Sequence, residues 1–500
     1  MVKSSNNNHI KINNIIYMHK DVIVVGAGIS GIAAGYNLNK SCPNKSFSIL
    51  EGRESLGGTW DLFKYPGIRS DSDMHTLGFR FKPWIHNKSI ADGPSILKYL
   101  HETVEEYSLM ESILLNHKVT SANWNSHDSI WELEIEDKDG LKNMTCSFLF
   151  LCGGYYSYLK PHMPDFKNQE SFAGQMIHPQ FWNNQIDYAN KKIIVIGSGA
   201  TAVTIVPALA ETAAHVTMLQ RSPSYVVSWP SEDAKNKFLK KFLPIKLTYF
   251  LVRWKNILYQ SYMYFMAKNY PEKIKNSILD LIRDELGSDY DVDKHFTPSY
   301  NPWDQRVCLV PDSDLFKAIK EKKASVVTDT IKEFESDGIM LDSGQRITAD
   351  IIITATGIEL NSLNDINVTI DKNKVNPHSR LTYKGMMLSG VPNFAYSFGY
   401  VNASWTLRAD LTCEYVCKLI NLMDKKGVEC CVPINDETAY GDDDLIDFTS
   451  GYFQRGLHLM PKQGNKAPWK NYQNYIKDIF AVRIFSIKNA NLSFYTSKDK

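Results

Sequence analysis

Arg69 and Asp71 stand two residues apart at the end of the stretch Gly57 to Asp71, GGTWDLFKYPGIRSD, in which no helical or strand periodicity can be read. Gly57 and Gly58 let backbone approach a flat ligand, Pro66 stiffens the path, and the guanidinium and carboxylate place opposite charges beside it. This composition points to the wall of an active site. A further arginine, Arg306 in NPWDQR, reads by residue type alone as a structural ion pair with a neighbour such as Asp304. His178, taken by itself, reads as a packed or solvated histidine.

The loop follows a nucleotide-binding pattern. Asp21 to Val25 (DVIVV) is a short buried-strand run, followed at once by Gly26-Ala27-Gly28-Ile29-Ser30-Gly31 and a helical pattern through Leu38. The glycines permit a tight turn, close approach of a pyrophosphate and close packing of helix on strand, and the helix N-terminus turns N–H groups toward phosphates. A second strand run, FSIL, ends in Glu51, 25 residues after Gly26, where an acid can accept hydrogen bonds from ribose hydroxyls. An adenine dinucleotide site follows from strand, turn, helix and acid together.

The pattern repeats in Lys192 to Ala210, with Gly197, Gly199 and Ala202 at the fingerprint positions. Here the second strand, HVTML, ends in Gln220-Arg221-Ser222 instead of an acid. Loss of the carboxylate removes repulsion against a ribose phosphate, and a guanidinium with a hydroxyl can bind that phosphate directly. This half should prefer NADP(H) to NAD(H). Each unit closes on a buried run ending in glycine, FLFLCGG (Phe148 to Gly154) and ADIIITATG (Ala349 to Gly357).

The elements that position these residues give an α/β reading: two Rossmann-like dinucleotide-binding domains with a helical insertion. Residues 1–20 are expected to be a frayed extension, 21–157 the first part of the first domain, and 158–230 the first part of the second. Residues 231–300 form the insertion, 301–380 complete the second domain, and 381–500 return to the first. A helix is expected near Ser95 to Tyr107 and another near Leu407 to Met423, and the alternation of IWELEIE (Ile130 to Glu136) predicts a half-exposed sheet. Leu247 to Met266 is aromatic-rich; Arg253 and Lys255 interrupt it, which favours core packing over a membrane surface, with peripheral membrane contact kept as the alternative.

Composition narrows the partners. Lys plus Arg number 56 against 55 Asp plus Glu in 500 residues, so no global charge calls for nucleic acid or an anionic membrane, and small molecules are the expected partners. The eight cysteines show neither a C-x-x-C pair nor zinc spacing, which predicts reduced, mostly buried thiols in a cytoplasmic protein and no metal site. No span reaches the ~18 apolar residues of a membrane helix. Oligomeric state is left open.

One acid-tipped and one Arg-tipped dinucleotide site imply a bound flavin dinucleotide, FAD, reduced by a diffusing NADPH, and hence an oxidoreductase. Without a redox-active C-x-x-C, the electrons must pass elsewhere, and dioxygen (O2) is the acceptor expected. At this point the residues carry a family resemblance. GGTWDLFKYPGIRSDSDMHTLGFRFKPW, FAGQMIHPQFW, GSGATAV, LQRSP and YNPWDQRVCLVP resemble the flavin-dependent Baeyer–Villiger monooxygenases, most of all the ethionamide-activating group. The similarity runs from about Asp21 to PKQGNKAPW near Trp469. The family fingerprint is carried by Phe172, Gly174, His178 and Trp182, with Asn183 where the pattern has Pro or Asp.

The resemblance implies oxidation of ketones to esters or lactones, with sulfoxidation of thioether or thioamide compounds. It implies Arg306 as the active-site cation, Asp71 as the acid that positions it, and His178 as a link between domain movement and catalysis. FAD contacts are implied for Gly26, Gly28, Ser30, Gly31, Glu51, Thr59, Trp60, Asp61, Leu62 and Asp71, with Val119 reaching the adenine side through backbone. NADPH contacts are implied for Arg69 and Ser70, for Gly197, Ser198, Gly199, Ala200, Thr201, Ala202 and Val203, and for Arg221 and Ser222. Two alternatives stand beside this reading: an N- or S-oxygenating flavin monooxygenase, and a cofactor-occupied protein whose redox state controls partner binding.

Overall fold

The computed structural model describes residues 9–12, 15–435, 441, 443–487 and 490–496. The strand before the first glycine turn, Ile15–Val25, lies parallel between Phe47–Leu50 and Gly140–Leu151, with Val22 to Val25 opposite both Phe47 to Leu50 and Phe148 to Leu151. Val22, Ile23 and Val24 are fully buried, as apolar runs covered on both faces must be. The alternating run is the strand Ile130–Asp137, antiparallel to Gly140–Leu151, with Trp131, Leu133 and Ile135 buried and Glu134 and Glu136 exposed. Phe394–Tyr396 runs parallel to Gly140–Leu151, in the same sheet as Ile15–Val25. There the helix Trp405–Lys426 packs on Ile29–Ser41, the helix of the first glycine turn.

The second unit is a five-stranded parallel sheet in the order Ala324–Thr328, His215–Gln220, Lys192–Ile196, Ile351–Thr354, Gln175–Ile177. Two segments cross between the units as an antiparallel ribbon, Tyr156–Pro161 against Ile358–Leu360. The helix near Ser95 spans Gly93–Glu106 and is started by Asp92, whose carboxylate accepts from the Ser95 N–H.

Two boundaries move. Residues 15–20, placed in a frayed extension, belong to the strand Ile15–Val25, because Met18, His19 and Lys20 pair with Met144, Thr145 and Cys146. His9–Ile12 folds back antiparallel on Ile15 to Met18, while residues 1–8 lie outside the described residues. The return to the first unit begins near Ile358, not residue 381, since Asn367–Ile370 extends the first sheet beside Ser121 to Trp124.

The insertion is helical: Ala234–Leu239, Ile245–Asn269, Pro271–Leu286 and Val292–Phe296. Its long helix docks through Arg253, which donates to the carbonyls of His75 and Gly78, each at 2.7 Å, and pairs with Asp410 at 3.3 Å. Burial raises the Asp410 pKa to about 6. Core packing holds for only one side of this helix. Thr248, Tyr249, Val252 and Ile257 are buried, whereas Phe250, Leu251, Leu258, Tyr262 and Phe265 are exposed. Among the described residues no helix is long and apolar enough to cross a membrane, and no cluster fit to hold a metal is present. All eight cysteines are buried, and none is in a disulfide.

Candidate active site

A cavity of about 520 Å³ is lined by both units: Gly26, Gly28, Ser30 and Glu51 from the first, Ala200, Thr201 and Thr204 from the second, and Arg69, Ser70, Asp71 and Arg306 from the loops between. The helices Ile29–Ser41 and Ala200–Leu209 both start on glycine, Gly28 and Gly199, with no side chain capping their first turns. Their leading N–H groups therefore remain for a ligand, the arrangement that suits a pyrophosphate.

The first unit fits a dinucleotide closely. Gly26 has φ +100°, and a Cβ there would lie 2.8 Å from Gly153 Cα; at Gly31 it would lie 1.8 Å from the Gly26 carbonyl oxygen. Gly31 thus serves close packing and does not itself line the cavity. Glu51 accepts from the N–H groups of Ala27 at 2.8 Å and Arg53 at 3.0 Å. Burial raises its pKa against the effect of those two donors. Each oxygen keeps a lone pair for a ribose hydroxyl. Ser30 accepts from Trp405 Nε1 at 2.8 Å, and Thr59, Trp60 and Val119 also line the cavity.

Asp61 and Leu62 do not. Asp61 turns away to Arg53, at 2.6 Å, and to Ser55, and Leu62 is not among the lining residues, although Thr59 and Trp60 of the same short helix, Thr59–Leu62, are. In the second unit, Ala202 and Val203 are core residues. Gly197 (φ +138°) makes the turn, donating to Leu219 O at 2.8 Å. A Cβ at Gly199 would meet no atom within 4 Å, so the approach to this turn is open. Ser198 donates to Ser222 O at 2.9 Å, which ties the glycine turn to the Arg221-Ser222 end of the next strand. Arg221 and Ser222 are exposed and lie outside the cavity lining.

The charges at the cavity wall are paired in a way that neighbours in sequence did not suggest. Arg306 Nη1 lies 2.7 Å from Asp71 Oδ2, while Asp304 is taken by Lys268 at 2.8 Å. The Asp71 carboxylate holds the Arg306 pKa far above its already high value, so this guanidinium stays charged. Arg69 pairs with Asp314 at 2.6 Å rather than with Asp71. Ser70 is buried and donates to Ser72 O at 2.7 Å, shaping the loop.

His178 is not in the cavity wall. It follows the edge strand Gln175–Ile177, and its Nδ1 accepts from Gln180 N at 3.2 Å. Gln180 in turn donates to Ser157 O and Tyr158 O on the ribbon that crosses between the units. Burial lowers the His178 pKa to about 4, leaving a neutral ring. Reading the sequence missed Tyr155, which lines the cavity and stacks on Trp405 at 5.3 Å and 15°. The pair of tyrosines directly after FLFLCGG was the available signal.

Residues 23–242 match the family model described as pyridine nucleotide-disulphide oxidoreductase. The FAD-containing monooxygenase EthA of Mycobacterium tuberculosis is 50% identical over 477 residues, 95% of this chain and 98% of that protein. The probable FAD-binding monooxygenase AlmA of Acinetobacter baylyi is 46% identical over 484 residues, 96% of this chain and 97% of that protein. Among solved structures, an oxidized steroid monooxygenase bound to NADP superposes with TM-score 0.76 at 20% identity, covering 96% of this chain and 100% of that one. Cyclohexanone monooxygenase in complex with epsilon-caprolactone gives 0.74 at 18% identity, covering 95% and 99%. The fold is thus that of two-domain flavoprotein monooxygenases, and by identity along nearly its whole length the chain belongs to the family of FAD-containing monooxygenases.

Proposed function

We propose that this protein is an NADPH- and O2-dependent Baeyer–Villiger monooxygenase that converts ketones to esters or lactones, with sulfoxidation of thioethers or thioamides at the same site. In balance, ketone, O2, NADPH and a proton give ester, NADP+ and water. One oxygen atom enters a carbon–carbon bond beside the carbonyl, and the other leaves as water. The observation that carries the reading is the Arg306–Asp71 pair on the wall of the cavity that both glycine turns address.

When bound, FAD supplies the redox chemistry, passing electrons from NADPH to dioxygen. Gly26, Gly28 and Glu51 would hold it in the first unit, and the start of the helix Ala200–Leu209 with Arg221 and Ser222 would hold NADPH in the second. The chain's own catalytic contribution is electrostatic. Attack on a ketone carbonyl gathers negative charge on oxygen, and a fixed guanidinium stabilises that charge more than the neutral ground state. Asp71 orients Arg306 and keeps it protonated, while the stacked Tyr155 and Trp405 give the cavity an aromatic wall.

The test is product analysis with one linear and one cyclic ketone under labelled dioxygen. The expected result is an ester or lactone carrying one labelled atom for each NADPH consumed in coupled turnover. Ketone-independent NADPH oxidation with no ester from either substrate overturns the reading.

A further inference from the structure

The long insertion helix carries two unlike faces. Its buried side is fixed to the first unit by Arg253, by Tyr249 donating to Phe79 O at 2.9 Å, and by Asn256 and Gln260 donating to Asp73. On the other side Leu247, Leu251, Leu258, Tyr262 and Phe265 are all exposed, Tyr262 at 57%. Their spacing of three, four and seven residues makes one stripe about 27 Å long at 1.5 Å per residue. Just before the helix, Phe238 and Phe242 pack on each other, and Phe242 is 71% exposed. Contiguous apolar surface of this extent marks an interaction site.

The charge around the stripe is one-sided. From Ala234 to Pro271 the sequence has seven Lys, one Arg and neither Asp nor Glu, in a chain whose totals are 56 basic and 55 acidic. Lys237, Arg253, Lys255 and Lys268 pair with Glu232, Asp410, Asp233 and Asp304, so the excess rests on Lys235, Lys240, Lys241 and Lys246. Lys235, Lys241 and Lys246 are exposed in the same segment as Phe238, Phe242 and Leu247. A protein partner for an apolar stripe does not require this bias. A surface with apolar depth and negative charge does, and an anionic bilayer has both.

We propose that the insertion, from Ala234 through Asn269, lies along the surface of an anionic phospholipid bilayer, with the stripe entering the headgroup boundary and the lysines facing the phosphates. The far end of the same helix meets the catalytic loop: Tyr264 packs against Trp303 at 5.9 Å and Lys268 pairs with Asp304, two residues before Arg306. Bilayer contact and the cavity wall therefore share one rigid element. This docking goes beyond the oxidation reaction and stands whether or not ketones are the substrates.

The experiment is co-sedimentation of the full chain, loaded with FAD, with vesicles of equal parts phosphatidylglycerol and phosphatidylcholine and with vesicles of phosphatidylcholine alone. The expected result is about tenfold stronger binding to the anionic vesicles, falling as salt screens the lysines. The variant Lys235→Glu/Lys241→Glu/Lys246→Glu is expected to lose that preference, and Leu247→Ser/Leu251→Ser/Leu258→Ser to lose binding, both with bound flavin retained. The surface charge variant carries the test by itself if the apolar variant does not fold. Equal binding to the two vesicle types, or full binding by the charge variant, overturns the proposal. So does a concentration-dependent dimer that the apolar variant abolishes, which would make a second copy the occupant of the stripe.

Discussion

Arg306 and Asp71 are 235 positions apart in sequence, yet their side chains meet at 2.7 Å across the cavity wall. The pair joins the loop after the first glycine turn to the loop that follows the insertion, so one ion pair ties both units to the same reacting volume. Asp304, the acid nearest Arg306 in sequence, is instead occupied by Lys268 of the insertion.

Arg306→Ala should leave reduction of bound flavin by NADPH within a few-fold of the parent while lowering ester formation about 10²–10³-fold, the usual cost of removing one charge-stabilising donor. Stopped-flow reduction and product yield, measured on the same preparation, separate the two. An unchanged ester yield removes Arg306 from the mechanism.

Arg221 is exposed beside the second glycine turn, and under the proposed function it holds the ribose phosphate of NADPH, a charge-assisted contact of about 1.5–3 kcal/mol. Arg221→Ala should raise KM for NADPH at least about tenfold and hardly change KM for NADH. Equal changes for both cofactors would show that no phosphate is bound there.

At Gly31 an added Cβ would stand 1.8 Å from the Gly26 carbonyl oxygen, so helix and turn must separate. Gly31→Ala is expected to cost about 1–3 kcal/mol and to abolish flavin retention. The ratio of visible to ultraviolet absorbance after purification reads this directly, with Gly344→Ala, at an exposed turn, as a control for strain without contact.

Arg253 is almost wholly buried with Asp410 as its ionic partner. Arg253→Met would leave that carboxylate uncompensated and should destabilise the fold by about 3–5 kcal/mol, seen in denaturant unfolding. A loss under about 1 kcal/mol would mean that the Arg253–Asp410 pair does not anchor the helix.

The His178 pKa is about 4 in the folded chain against 6.5 for a free imidazole, and burial is the cause. Between those values the unfolded chain binds a proton that the folded chain does not. His178 therefore contributes stability above pH 6.5 that is lost as pH falls toward 4. Melting curves should show a shallower loss over this interval for His178→Gln than for the parent protein; parallel curves would contradict it.

Local order along the chain determined the two strand, glycine turn and helix units, the acid at the end of the first and the arginine at the end of the second. Each is a contiguous pattern set by backbone geometry, so it is legible in one dimension. The loop Gly57 to Asp71 was likewise recognisable as a wall from its composition. Tertiary structure decided the rest, because charge pairing depends on distance in space. It gave Arg69 to Asp314 and Asp304 to Lys268, and it set Arg306 against Asp71, the partner the family resemblance implied where residue type alone pointed to Asp304. It also turned Asp61 away toward Arg53, set His178 against the ribbon between the units, and left one side of Ile245–Asn269 facing outward. Helical periodicity predicts that a helix has an apolar face; only the packing of the whole chain determines how much of that face is covered.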